Sequence, residues 1–245
     1  MKINKESVSL VSFEKMAEYY FNEVDNKSFN AYYERPNLTR IVGDVEGKTI
    51  LDAGCAAGWY SDYFLKNNAK KVYAIDFSKN MIEMTSLRLE NKSYRKRAFL
   101  KEFDLNNELD FIEDNSLDII VSSLTLHYIK DLDRVFYNFK KKLKDGGKLV
   151  FSMHHPFLDY MLFEKKNYFE KTLIKDTWKT SIGDVEVEFF TRSLSEILSA
   201  LFVNNFVITN LEEPMPDEMF RLVNEKNYGS MLTKPRFIFI EAKVI

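Results

Sequence analysis

The residues whose types and spacing can do chemistry begin at Asp52, Gly54 and Gly58. Thr49 to Leu51 closes an apolar run, the two glycines allow a turn with no side chain to hold a ligand off, and Tyr60, Tyr63 and Phe64 recur at helical spacing. A strand, a glycine turn and a helix in that order bring backbone N–H groups to a ligand at the carboxyl end of the strand. About 20 residues downstream, Val72 to Ile75 is a second apolar strand that ends in Asp76, a carboxylate placed to accept both hydroxyl hydrogens of a ribose. The pattern therefore asks for a cofactor with a ribose, although a strand, two spaced glycines and a helix on their own are equally a packing turn. The run Gly54, Ala56, Gly58 lacks the last glycine of a dinucleotide fingerprint, which disfavours a pyrophosphate and a nicotinamide oxidoreductase. His127 and His155 follow the ends of two later apolar strands and are expected to face the same pocket as candidate general bases. A hydrogen-bonded structural role is the alternative for each, and His154 is expected to point away from its neighbour.

The elements that must position these groups are legible from periodicity. Phe13 to Phe21 has helical spacing, and Ser28 to Val42 reads as a helical stretch broken at Pro36. Ser78 is placed to cap a helix running from Lys79 toward Leu89, Ala98 to Phe103 reads as a third strand, and Leu117 to Ser122 as a fourth. Asp131 to Leu143 is a helix stopped by Asp145-Gly146-Gly147, and Lys148 to Met153 is a fifth strand. Thr172 to Trp178 and Val185 to Phe190 read as a hairpin that a doubly wound sheet does not need. This stretch holds many large rings, Trp178 among them, and is expected to form a lid over the acceptor or else an edge or subunit contact. Ser193 and Glu196 form a capping box, and Phe206 to Leu211 with Phe237 to Ala242 completes the sheet through an antiparallel closing pair.

Composition narrows the classes. The 245 residues are 45% hydrophobic with a net charge of −2, enough apolar mass for one core and no field to draw nucleic acid or an anionic membrane. The lysine run from Lys140 to Lys144 ends a helix and is a solvated face stabilised by the helix dipole. One cysteine, Cys55, cannot form an internal disulfide and agrees with a reducing cytoplasm, and Met1 to Ser9 resembles neither a signal nor a transit sequence. The three histidines lack the spacing of a metal site.

The run Asp52-Ala53-Gly54-Cys55-Ala56-Ala57-Gly58 resembles motif I of the class I S-adenosylmethionine-dependent methyltransferases, with Ala56 in place of the middle glycine. Asp76-Phe77-Ser78 with Met81 matches the run that follows the family's ribose acid. The order from Ser122 through His127 and Tyr128 to Gly147 and Phe157 is similar to the small-molecule branch typified by the quinone-biosynthesis enzymes. The resemblance implies an α/β fold, a doubly wound seven-stranded Rossmann-like sheet, mostly parallel with an antiparallel last strand. It implies one domain over residues 1–245, with an N-terminal helical cover at 1–45 and a lid or hairpin insertion at 156–190. It implies S-adenosyl-L-methionine as cofactor, held by Tyr20, Arg35, Asp52, Gly54, Ala56, Gly58, Asp76, Phe77, Ser78, Met81, Asp104, Leu105 and Ser122. Arg35 and an aromatic lie near the methionine carboxylate in this scheme, while Asp104 and Leu105 lie at the adenine, although Asp104 is equally a turn residue. Tyr128 and Trp178 then line the site of a small-molecule methyl acceptor, with no nucleic-acid or membrane partner and a monomer or homodimer in solution. The fourth strand lacks the D/N-P-P-Y/F clamp of enzymes that methylate amino groups of nucleobases or side-chain amides. Ala56 keeps open a module that binds the cofactor without turnover.

Overall fold

The computed structural model describes residues 7–245, so the reading of Met1 to Ser9 falls for residues 1–6 outside the described residues. Helix α1 (Val8–Glu23) buries Phe13, Met16 and Ala17 on one stripe, as their spacing requires. A five-residue π turn (Asn30–Glu34) leads into α2 (Arg35–Val42). Pro36 does not break this stretch. It sits in the first turn of α2, and the wider π turn before it, closed by the Arg35 N–H donating to the Asn30 carbonyl, absorbs the missing donor.

The following elements alternate as a doubly wound sheet requires: β1 (Thr49–Ala53), α3 (Trp59–Lys66), β2 (Lys71–Asp76), α4 (Lys79–Leu89), β3 (Ala98–Glu102), β4 (Leu117–Ser123), α5 (Leu132–Lys142) and β5 (Leu143–His154). Ser78 caps α4 by accepting the Met81 N–H, and Asp131 caps α5 in the same way with Arg134. Strand β5 begins earlier than its apolar run. Gly146 at φ +72 lets the chain bulge between the Leu117–Leu143 and Ile119–Lys148 pairs; α5 has already ended at Lys142, where Leu143 turns extended, so the glycines lie inside the strand and do not stop the helix.

After α6 (Pro156–Leu162), strands β6 (Thr172–Thr180) and β7 (Gly183–Thr191) pair as a separate antiparallel hairpin. The chain ends with α7 (Leu194–Val203), β8 (Phe206–Glu212), the short helices α8 (Glu218–Val223) and α9 (Glu225–Met231), and β9 (Phe237–Val244). The seven-stranded sheet has the order β3-β2-β1-β4-β5-β9-β8, with β9 antiparallel to both neighbours and the other pairings parallel. Alternate residues of each central strand feed two apolar layers: Leu51, Ile120 and Phe151 pack under α5 and α7, and Ile50, Val121 and Val150 under α2 and α3. The order reverses between β1 and β4, and a ligand crevice is expected at the carboxyl ends there. No helix of the described residues is long and apolar enough to cross a membrane.

Candidate active site

At those carboxyl ends lies a cavity of about 620 Å³. Its floor is the β1–α3 loop, where Gly54, Ala56 and Gly58 all have positive φ. A Cβ on Gly54 would run into the side chain of Thr125, and one on Gly58 into Thr85, so both glycines are demanded by protein neighbours as much as by any ligand. Ala56 holds a left-handed φ of +46 that costs a non-glycine residue about 1 kcal/mol, and the loop pins it at both ends. Its N–H donates to Asp76 Oδ2 at 2.9 Å, and its carbonyl accepts from Thr85 Oγ1 at 2.7 Å. Asp76 Oδ1 accepts the Ser78 N–H at 3.0 Å. Burial pushes the Asp76 carboxyl up to about 6, against the stabilising N–H groups of Ser78 and Ala56. Each oxygen keeps lone pairs free, so an adenosyl ribose fits this carboxylate.

Of the residues named from sequence, Tyr20, Arg35, Gly54, Ala56, Asp76, Phe77, Asp104, Leu105, His127, Tyr128 and Trp178 line this one cavity. Asp52, Gly58, Ser78, Met81 and Ser122 lie behind it as supports. Asp52 accepts from Ser61 Oγ at 2.6 Å, and burial pushes its carboxyl up to about 7. Ser122 Oγ donates to the Ala53 carbonyl at 2.9 Å, and Met81 is buried against α1. Arg35 reaches the cavity already engaged, ion-paired with Asp25 at 3.0 Å and lying 4.4 Å over the Trp59 ring. Asp25 is shared with Arg88 at 2.7 Å.

The expectation for His155 is corrected. Strand β5 ends at His154, and His155 turns to cap α6, with Nδ1 accepting the Phe157 N–H and Nε2 against Glu213, away from the cavity. His154 lines the cavity in its stead, its ring stacked on His127 at 3.9 Å. Both imidazoles are held neutral: burial drives His127 well below its ordinary range and His154 down to about 3. His127 Nδ1 is buried without a partner among the described residues. Leu149, Phe151 and Met153 pack on one face of β5, so alternation alone sends Ser152 and His154 to the other, a signal available in the sequence.

Sequence reasoning also passed over Phe13 and Glu34. Phe13 makes edge contacts with Tyr20, Phe77, Tyr128 and Trp178, and so ties the cofactor side of the cavity to the hairpin. Glu34 is fully buried and accepts from the hydroxyls of Tyr60, Ser123 and Ser152, while burial raises its carboxyl. Only its position among aromatic residues in the cover marked it. Among the described residues no group of three or more His, Cys, Asp or Glu could hold a metal.

Residues 51–151 match the methyltransferase domain family. The chain is 24% identical over 233 residues to an uncharacterised protein of Haemophilus influenzae, covering 89% of each. It is 26% identical over 212 residues to a malonyl-[acyl-carrier protein] O-methyltransferase of Buchnera aphidicola, covering 78% of this chain and 81% of that one. Its fold is similar to the crystal structure of an S-adenosylmethionine-dependent methyltransferase from Mesorhizobium loti, with a TM-score of 0.69 and 21% identity over 90% of this chain and 99% of the other. The matched domain spans β1 to β5, the strands whose carboxyl ends hold Asp76 and the glycine loop. Residues 51–151 therefore match a methyltransferase domain, on a fold similar to that of S-adenosylmethionine-dependent methyltransferases.

Proposed function

We propose that the chain transfers a methyl group to a small-molecule acceptor, and that residues 1–245 act as one unit in which 1–45 covers the cofactor and 156–190 covers the acceptor. The carrying observation is that one cavity joins Asp76, Asp104 and Leu105 to His127, Tyr128 and Trp178. When bound, the cofactor supplies a sulfonium methyl group that a nucleophile takes by in-line displacement. Everything else falls to the chain. Asp76 receives the ribose hydroxyls, Asp104 and Leu105 meet the adenine, and Tyr20 and Arg35 take the methionine end. Arg35 there shares its guanidinium between Asp25 and a second carboxylate, a geometry its five donors permit. The rings around Phe13 exclude water and present faces that attract a sulfonium.

The neutral His127 can accept a proton from an acceptor O–H or N–H, because one ring nitrogen is buried without a partner and its ring lines the cavity. With His155 committed to α6, the base reading rests on His127. The similarity to a malonyl-[acyl-carrier protein] O-methyltransferase is compatible with an oxygen nucleophile. The single buried thiol, Cys55, fits a cytoplasmic setting. Two measurements test the reading. Adenosylhomocysteine should raise the melting temperature while reduced nicotinamide dinucleotide does not, and a panel of small carboxylates, phenols and amines should include one that drives adenosylhomocysteine release. Absence of the melting shift sinks the proposal, whereas tight binding with no turnover across the panel moves it to a non-catalytic cofactor-binding module.

A further inference from the structure

Strand β9 runs antiparallel to β5, so its first residue arrives at the edge where the parallel strands end: Phe237 is the register partner of His154. Arg236, one residue earlier, is thereby delivered to the wall of the cavity. Its guanidinium lies 4.8 Å from the Phe29 ring and 5.8 Å from the Phe237 ring, and its Nε is buried without a partner. The carboxylates that act on it through space are Asp159 and Asp176, and the neutral Tyr33 phenol lies near it. The Tyr33 hydroxyl donates to the Pro214 carbonyl at 2.7 Å, Glu213 lies against His155, and Asp176 accepts its neighbour's N–H. Asp159 sits beside His154 at 3.8 Å and outside ion-pair distance of Arg236 among the described residues.

Arg192 also has buried nitrogens without a partner among the described residues, but its Nη2 donates to the Ile129 carbonyl, Glu196 lies 3.9 Å from its Nε, and it does not line the cavity; other inward arginines are paired. Arg35 and Arg88 share Asp25, and Arg97 donates to the carbonyls of Ala69 and Leu65. A guanidinium beside two rings, desolvated and lining a cavity with no carboxylate at ion-pair distance among the described residues can receive an anion, since its planar fork matches a carboxylate or phosphate. A stack of rings leads to this guanidinium: it runs from His127 through His154, 3.9 Å apart, to Phe237 at 6.2 Å, and Arg236 flanks that last ring.

We infer that Arg236 is the anion-binding residue of the acceptor site, and that the acceptor is a small molecule carrying a carboxylate or phosphate at the end remote from the atom that receives the methyl group. The assignment rests on the reading of this cavity as a methyltransferase site. The stacked His127, His154 and Phe237 rings then bound an apolar or aromatic body between the anion and the nucleophile, and the anion anchors that body so that the nucleophile stays aligned.

Calorimetry at saturating adenosylhomocysteine tests it with three probes of one shape: phenylacetate, phenyl phosphate and the uncharged phenylacetamide. Wild type should hold at least one of the two anions about tenfold or more tighter than the amide, and which anion wins separates a carboxylate from a phosphate acceptor. R236Q should erase that preference while leaving adenosylhomocysteine affinity within about twofold, and R236K should keep part of it. Wild type that holds neither anion better than the amide overturns the assignment, as does an R236Q variant that keeps the preference. Weakened adenosylhomocysteine binding in folded R236Q would also overturn it, since Arg236 would then serve the cofactor's own carboxylate. Failure of wild type to bind adenosylhomocysteine at all would instead strike the methyltransferase reading on which the assignment rests.

Discussion

The two oxygens of Asp76 already accept N–H groups from Ala56 and Ser78, so the carboxylate that is to receive a ribose also sets the shape of the loop beneath it. Asp76→Ala should weaken adenosylhomocysteine binding by about 2 to 4 kcal/mol, read by calorimetry on variant that has kept its fold. An unchanged dissociation constant removes the ribose assignment. Acceptance of two hydroxyl hydrogens needs the ionised form, and burial has raised the carboxyl to about 6. Binding should therefore be strongest above pH 7 and fall as the pH drops through about 6; a flat profile between pH 5 and 8 contradicts this. Ala56 makes a second, milder test. Glycine at 56 relieves the positive φ, and with no phosphate to crowd the loop, cofactor affinity should stay within about tenfold. A much larger gain would show a damaged cofactor loop and favour the module without turnover.

The hairpin β6–β7 packs Val185, Val187 and Phe189 against Phe13, Met16 and Ala17 of α1, so the insertion and the N-terminal helix close over the cavity together. Trp178 and Leu173 of β6, with Glu188 and Phe190 of β7, line it, whereas Phe157 and Phe169 stay exposed. The lid reading thus concentrates on the inward residues of the hairpin. Trp178→Ala should lower acceptor turnover while leaving adenosylhomocysteine affinity nearly intact, because Asp76 and Asp104 lie on other elements, the ends of β2 and β3. Full activity with only a changed sedimentation profile would make the hairpin a subunit contact.

Across the whole molecule, acids are buried close to the sheet's carboxyl edge and their ionisation opposes folding. Asp52 lies behind the glycine loop with a single side-chain donor, Ser61, and burial lifts it from 3.8 to about 7. A carboxyl raised on folding contributes stability that is full below its unfolded value and lost as pH rises through the folded one. Asp52→Asn cannot ionise, so its melting temperature relative to wild type should rise from about pH 4 to about pH 7 and level off above that. A difference independent of pH would show that Asp52 does not titrate there. Burial of neutral His127 and His154 acts in the opposite direction, lowering stability as pH falls through their unfolded value near 6.5, but this is common to both proteins and cancels in the comparison.

The sequence by itself determined the features whose physics is local. Short apolar runs placed β1 through β5, period-3.6 stripes placed α1 and α5, and Ser78, Asp131 and Ser193 marked helix starts because a cap needs only the next three residues. The glycine loop and Asp76 were legible for the same reason, since a strand, a turn and a helix are contiguous. Tertiary structure alone decided which groups meet. The end of β5 turned His155 out to cap α6, and the reversed direction of β9 carried Arg236 to the cavity edge. The partnership of Arg35 and Arg88 through Asp25 spans three separate elements, and Glu34 finds its hydroxyls on α3, β4 and β5. Charge and hydrogen-bond satisfaction act through space between residues far apart in the chain, and no periodicity along the chain encodes those pairings.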